Sequence, residues 1–148
     1  MSDLSHVDSA GRARMVDVIH KPNQQRVARA SGKIQVAPHT VRLVAENALK
    51  KGHVLTVAEI AGVQAAKKTG DWIPLCHPLA LTCVTVEARL VDDGVVISSE
   101  VSCVGPTGVE MEALTAVSAA LLTVYDMCKA VDKQMRIGDI VLLEKTKE

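Results

Sequence analysis

"VTVEARLVDDGVVISSEVSCV", Val84–Val104, decides the fold. In its first half Val84, Val86, Ala88 and Leu90 fall on one side of an extended chain, with Thr85, Glu87 and Arg89 on the other. A period of two marks a half-buried strand, because successive side chains leave a strand on opposite faces. In the second half Val95, Ile97, Val101 and Cys103 share a face in the same way. Asp93-Gly94 between the two runs predicts a tight hairpin turn. A pair of strands with one apolar face must be covered on that face, and the flanking segments supply the cover.

Upstream, "RVARASGKIQV" (26–36) reads as a strand in which Gly32 predicts a bulge. Pro38 then stands near a helix start. Val41, Val44, Ala45, Ala48 and Leu49 follow the i, i+3, i+4, i+7, i+8 spacing of one buried helical face, and Gly52 is placed to end that helix. Thr56 and Glu59 in "TVAE" have capping-box spacing, so a second helix is expected to open there and to finish near Lys67-Lys68, ahead of Gly70. "DWIPLCHPL" (71–79) holds two prolines and predicts irregular backbone. Downstream, "GPTG" (105–108) breaks the chain before a long helix over about 109–131, and "RIGDIVLLEK" (136–145) closes it as a strand. Strand, helices, strand, strand, helix, strand predicts an α+β, ferredoxin-like βαββαβ fold, an antiparallel sheet with helices on one face. Residues 1–24 are polar and lack a period, so they are expected to form an N-terminal arm ahead of a single domain over 25–148.

The 148 residues are enough for one domain with a real core, and 48% apolar with 23% charged residues is a soluble globular balance. Seventeen basic and seventeen acidic side chains give zero formal charge, which argues against a general nucleic-acid binder. Trp72 and Tyr125 are the only aromatics, so the core is aliphatic. Such a core often needs partner subunits to bury enough surface, and an oligomer is expected. The four cysteines lack CxxC spacing, the first 18 residues hold no apolar run of signal-peptide length, and the apolar stretch near 113–125 is too short for a membrane span. A cytoplasmic protein without membrane contact is expected.

Within the long helix, Glu112, Thr115, Thr123 and Asp126 share a narrow stripe with Lys129 at its edge, while Glu110 points nearly the opposite way. Glu112 and Asp126 are separated by about 21 Å of helix axis. One small reacting group cannot touch both, so a functional stripe would line a long ligand or take its two ends from two subunits. A solvated face with a weak i, i+3 pair between Asp126 and Lys129 explains the same pattern. In "IPLCHPL", Cys76 and His77 stand between two prolines that hold the loop extended. A fixed imidazole suits proton transfer near neutral pH, or else simply bonds a backbone carbonyl. Adjacent residues on an extended chain point apart, so His77 does not activate Cys76, which reads as a packed thiol. No second Cys or His lies at zinc-like spacing, and no metal is expected. Lys51, Lys67 and Lys68 stand at helix ends, where dipole complementarity accounts for a lysine taken alone. Arg26 and Arg29 face opposite sides of their strand, so one of them points into any given site. Together these residues suggest acid–base chemistry on a phosphate-bearing molecule and name no substrate.

"MVDV", "KKGHV", "AGVQAAKKT", "IPLCHPL", "TGVEMEALTA" and "YDMCKA", in this order and at these spacings, resemble the cyclic pyranopterin monophosphate synthase family of molybdenum cofactor biosynthesis, its protein C. The likeness runs from about Val16 to Ile140. It implies a lyase that converts 3′,8-cyclo-7,8-dihydro-GTP to cyclic pyranopterin monophosphate and pyrophosphate, without a cofactor. It also implies a ferredoxin-like fold and a homohexamer, a trimer of dimers with sites at subunit interfaces. By this resemblance Asp126 and Lys129 match a catalytic acid–base pair, and Lys51 a second essential lysine. Leu75, Cys76 and His77 match one substrate-binding loop, Met111 and Glu112 another, with Glu110, Lys67 and Arg26 as further pocket positions. Gly70 and Trp72 in "KKTGDWIPL" depart from the family pattern, while the spacing to "IPLCHPL" is kept.

Overall fold

A computed structural model describes residues 5–148; the first four residues of the expected arm lie outside the described residues. The elements are β1 (Gln24–Gln35), α1 (Pro38–Ala45), α2 (Val54–Lys67), α3 (Thr69–Trp72), β2 (Leu81–Val91), β3 (Gly94–Gly105), α4 (Glu110–Cys128) and β4 (Arg136–Lys147). The strands form one antiparallel sheet in the order β2-β3-β1-β4, and the helices cover one face, as the ferredoxin-like expectation required.

The apolar faces read from the hairpin are the ones buried. Val86 and Ala88 on β2 enter the core on the side covered by α2, where Val86 packs against Gly62, and Val95, Ile97, Val101 and Cys103 on β3 join it with Ala113, Ala116, Val117, Ala120, Leu121 and Val124 of α4. The apolarity of α4 therefore reflects its place as the core helix. Ser99 lies on the same buried face and satisfies its hydroxyl by donating to the Ala113 carbonyl at 2.8 Å. The hairpin loop is Asp92-Asp93, with Val91 facing Gly94, one residue earlier than the expected Asp93-Gly94 turn. Gly94 serves another need: a Cβ there would overlap the Ile34 carbonyl of β1. The predicted irregularity at Gly32 is present, as the β1–β4 register shifts between Ser31 and Lys33. A Cβ at Gly32 would come within 2.8 Å of both Val117 and Leu121 of α4, so the glycine lets helix and sheet approach closely.

Three boundaries differ from the sequence reading. The first helix stops at Ala45, well short of Gly52, because Asn47 adopts φ 52° and forms a Schellman-type end. The Ala48 N–H reaches the Leu43 carbonyl at 2.9 Å and the Asn47 N–H that of Val44 at 3.1 Å. Ala45 and Ala48 are thus exposed, and only Val41, Val44 and Leu49 of the expected face pack against the core. The second helix begins at Val54, two residues early, without a side-chain cap. Glu59 forms no box with Thr56; its carboxylate accepts the Ala88 N–H of edge strand β2 at 3.0 Å. The long helix ends at Cys128 and not near residue 131.

Candidate active site

α4 carries chemistry at both ends. At its C-terminal end, Asp126 Oδ1 receives Lys129 Nζ at 2.8 Å and Oδ2 receives Lys51 Nζ at 2.8 Å, so one carboxylate bridges two ammonium groups. Lys51 Nζ also donates to the Asp126 backbone carbonyl at 3.2 Å. Hydrogen bonds from Lys129, then Lys51, hold the Asp126 carboxyl down at about 2, and its bond to Asp126 raises Lys129. All three side chains are about half exposed, so the cluster opens to an incoming ligand. Lys51 reaches it from the segment between Asn47 and Gly52, both at positive φ, where the chain turns twice between α1 and α2.

At the N-terminal end, Leu75, Cys76 and His77 of the Pro-flanked loop meet Glu110, Met111 and Glu112 across a cleft of about 230 Å³. The arm forms the opposite wall through His6, Val16, Val18 and Lys21. His77 donates Nε2–H to the Val16 carbonyl at 2.6 Å, so a backbone bond fixes the ring and leaves Nδ1 as its second polar atom. Glu112 is only 4% exposed, and burial pushes its carboxyl up. The stripe is therefore not a uniformly solvated face: one end is sealed and the other open. Burial, then the charges of Glu112 and Glu110, push the Cys76 thiol up. That opposes thiolate chemistry at neutral pH and agrees with a packed cysteine.

An adjoining cleft of about 310 Å³ shares Lys21, Thr107, Gly108 and Glu110 with the first and adds Arg26, Lys145 and Lys147. Glu110 turns back over Gly108, where a Cβ would collide with its carboxylate, and stands 3.6 Å from Lys145 Nζ. Its Oε2 is buried without a hydrogen-bond partner among the described residues. The helical wheel had pointed Glu110 away from this stripe, but the first turn of the helix lets the side chain fold into the cleft. Arg26 points to the helix-covered side and donates Nε–H to the Gly105 carbonyl at 3.3 Å. Arg29 lies on the open face between Glu100 and Glu144, which bears out the alternation along β1. Lys67 stands apart, beyond Leu79, beside Val63, Leu81 and Cys83. Lys21 and His6 were missed by sequence reasoning. The basic residue pinned before Pro22, ahead of the first strand, was the available signal for Lys21.

The structure thus brings Lys51, Asp126 and Lys129 together, and gathers Leu75, Cys76, His77, Glu110, Met111, Glu112 and Arg26 around adjoining clefts. It does not bring the two groups together within one chain. Cations facing buried acids and a fixed imidazole can bind an anionic, hydrogen-bonding ligand, while the lysine–aspartate bridge can hold and relay protons.

The MoaC family profile matches residues 15–148. The cyclic pyranopterin monophosphate synthase of Rhodospirillum rubrum is 59% identical over 145 residues, covering 97% of this chain and 87% of that protein. That of Roseiflexus sp. is 55% identical over 148 residues, covering 99% and 94%. Cyclic pyranopterin monophosphate synthase 1 of Mycobacterium tuberculosis is 55% identical over 144 residues, covering 97% and 85%.

Proposed function

The chain belongs to the MoaC family, and from that premise we propose that it is a lyase forming cyclic pyranopterin monophosphate for molybdenum cofactor biosynthesis. The likeness to the three synthases over nearly the whole chain supports this reading. Its substrate is 3′,8-cyclo-7,8-dihydro-GTP, and pyrophosphate is the second product. The enzyme is cytoplasmic.

The observation that carries the catalytic assignment is the Lys51–Asp126–Lys129 bridge. Opening a purine and rebuilding it as a pterin requires repeated proton transfers, and closing the cyclic phosphate requires a hydroxyl to lose a proton as a P–O bond to pyrophosphate breaks. The two ammonium groups are proton donors at neutral pH, and Asp126, ionised throughout, keeps them in place. A substrate that displaces water from the bridge and draws Lys129 away from Asp126 weakens the hydrogen bond that raises that lysine and so eases the loss of its proton. The charge developing on pyrophosphate calls for fixed cations; Arg26 serves there from its cleft, and Lys67, which stands apart from it within one chain, joins it from another subunit. His77, Leu75, Cys76, Met111, Glu112 and Glu110 hold the ring system.

Glu112 and Asp126 stand about 21 Å apart on one helix, so a single reacting ring cannot touch both. We infer that the working site takes the acid–base bridge from one subunit and the ring-binding cleft from another; the homohexamer, a trimer of dimers, is what the family resemblance implies for that arrangement. Exposed Trp72, Leu122 and Leu143 are apolar surface that such an assembly would cover. The test supplies purified protein with 3′,8-cyclo-7,8-dihydro-GTP and follows pyrophosphate and pterin release. Turnover that Lys51→Ala and Lys129→Ala both lose supports the reading. A folded wild type that binds the compound but releases no pyrophosphate removes it.

A further inference from the structure

The α1 helix has no cap of its own. Ala37 stands at the N-cap position, and no side chain of the helix or its approach satisfies the first turn. The missing acceptor comes from far along the chain. Asp132, three residues beyond Lys129 and 4% exposed, accepts the Ala37 N–H at 2.8 Å and the hydroxyl of fully buried Thr40 at 2.8 Å through one oxygen. Its other oxygen accepts the Gln134 N–H at 3.1 Å. His39 donates Nε2–H to the Val131 carbonyl at 2.8 Å, a second tie between the same two segments.

A buried carboxylate at a helix N-terminus is a strong anchor, because its bonds are charge-assisted and the helix dipole favours it. Burial alone raises the Asp132 carboxyl, but the bonds from Ala37, Gln134 and Thr40 together outweigh it and leave the group below its usual range. The contrast lies at the other end of this segment. Lys51 is held to Asp126 by an ion pair about half exposed to water. Exposed pairs of that kind contribute too little to order a flexible lysine and its turn. Residues 126–132 thus grip the 37–51 segment twice, weakly at the reactive end and firmly at Asp132.

We propose that Asp132 is a positioning residue for Lys51: by capping α1 from the end of α4, it fixes the segment that delivers the Lys51 ammonium to Asp126. The catalytic part of this inference rests on the function proposed above; the geometric part does not. Loosening the anchor by a fraction of a helical turn would move Lys51 by an ångström or more, which in a reacting site costs up to roughly 100-fold.

The test compares wild type with Asp132→Asn, Thr40→Val and Thr40→Ser, each checked for a native amide NMR spectrum. The carboxyl carbon of Asp126, assigned by its loss in Asp126→Asn, is titrated in each. Asp132→Asn and Thr40→Val are expected to move the Asp126 titration up from about 2 towards the ordinary aspartate range as Lys51 is released, and Thr40→Ser, which keeps the hydroxyl, to restore it. In turnover, Asp132→Asn lowers kcat about tenfold or more with little change in KM, and has no further effect in Lys51→Ala. If Asp132→Asn does not fold, the Thr40 pair decides. A folded variant lacking the anchor, with the Asp126 titration unmoved, overturns the inference. A moved titration in the variants, beside a wild type that turns over no substrate, leaves the positioning intact and instead removes the proposed function.

Discussion

Lys51 and Asp126 lie 75 residues apart in sequence, and Nζ of one stands 2.8 Å from Oδ2 of the other. With Lys129 on the second oxygen, the aspartate is fully engaged by cations. Removing either lysine by alanine substitution is expected to lower kcat by about 10²–10⁴-fold, the range for a lost acid–base group. The melting temperature should move little, since the pairs are exposed. Steady-state kinetics beside thermal melts separates the two effects, and a large loss of stability would show the bridge to be structural.

The same bridge fixes a pH dependence. A carboxyl lowered in the folded state contributes stability above its unfolded value, near 3.9, and loses it as pH falls through about 2. The Asp126 contacts should thus survive unchanged from neutral pH to below pH 4. Carbon NMR of the carboxyl checks this; a midpoint close to 4 would mean that neither lysine holds the group in solution.

Glu112 has the opposite sign. Burial raises its carboxyl, so the folded protein keeps its proton to higher pH than the unfolded chain does. Its contribution to stability is full below the unfolded value and falls as pH rises towards the folded one. Glu112→Gln is expected to raise the melting temperature at neutral pH, flatten its decline with pH, and weaken substrate binding. Melts across pH 4–8 decide; an unchanged slope would mean that Glu112 ionises freely in its cleft.

Cys76→Ser should retain turnover within about threefold. The raised thiol is a poor nucleophile at neutral pH, and serine keeps the volume of the loop. Loss of all activity in a folded Cys76→Ser protein would point to sulfur chemistry and away from the lysine–aspartate bridge.

If one site draws on two subunits, two dead variants should rescue each other. Asp126→Ala and His77→Ala, refolded together in equal amounts, would place one intact site in each mixed pair and recover about a quarter of wild-type activity. Subunit exchange followed by the turnover assay reads this directly. No recovery from demonstrably mixed oligomers would confine the site to one chain.

The sheet and its buried faces were legible because strict alternation at Val84–Leu90 and Val95–Cys103 admits one burial pattern. Gly32 was legible as a bulge for a related reason, a residue without a side chain inside a strand. The end of α1 was hidden because Asn47 stops a helix only when it takes a left-handed conformation, which its identity permits but does not compel. Glu59 was misplaced since capping-box spacing competes with any nearby donor, and an unpaired N–H at the edge of β2 won. The acid–base bridge was half visible: Asp126 and Lys129 share a helical turn, whereas Lys51 joins them by a tertiary contact that no local pattern encodes. Lys21 and His6 lie in an arm without period, so their place at the cleft follows from the fold alone.

Gly32 seats α4 against the sheet through Val117 and Leu121, midway between Glu112 and Asp126. The helix is thereby pinned at its middle and carries a different fitting at each tip, so it acts as a spacer of fixed length and fixed twist. One residue inserted between residues 112 and 126 would leave both fittings chemically whole yet turn one by about 100° against the other. Loops around this helix have latitude to drift in length, while its own residue count is a dimension of the machine.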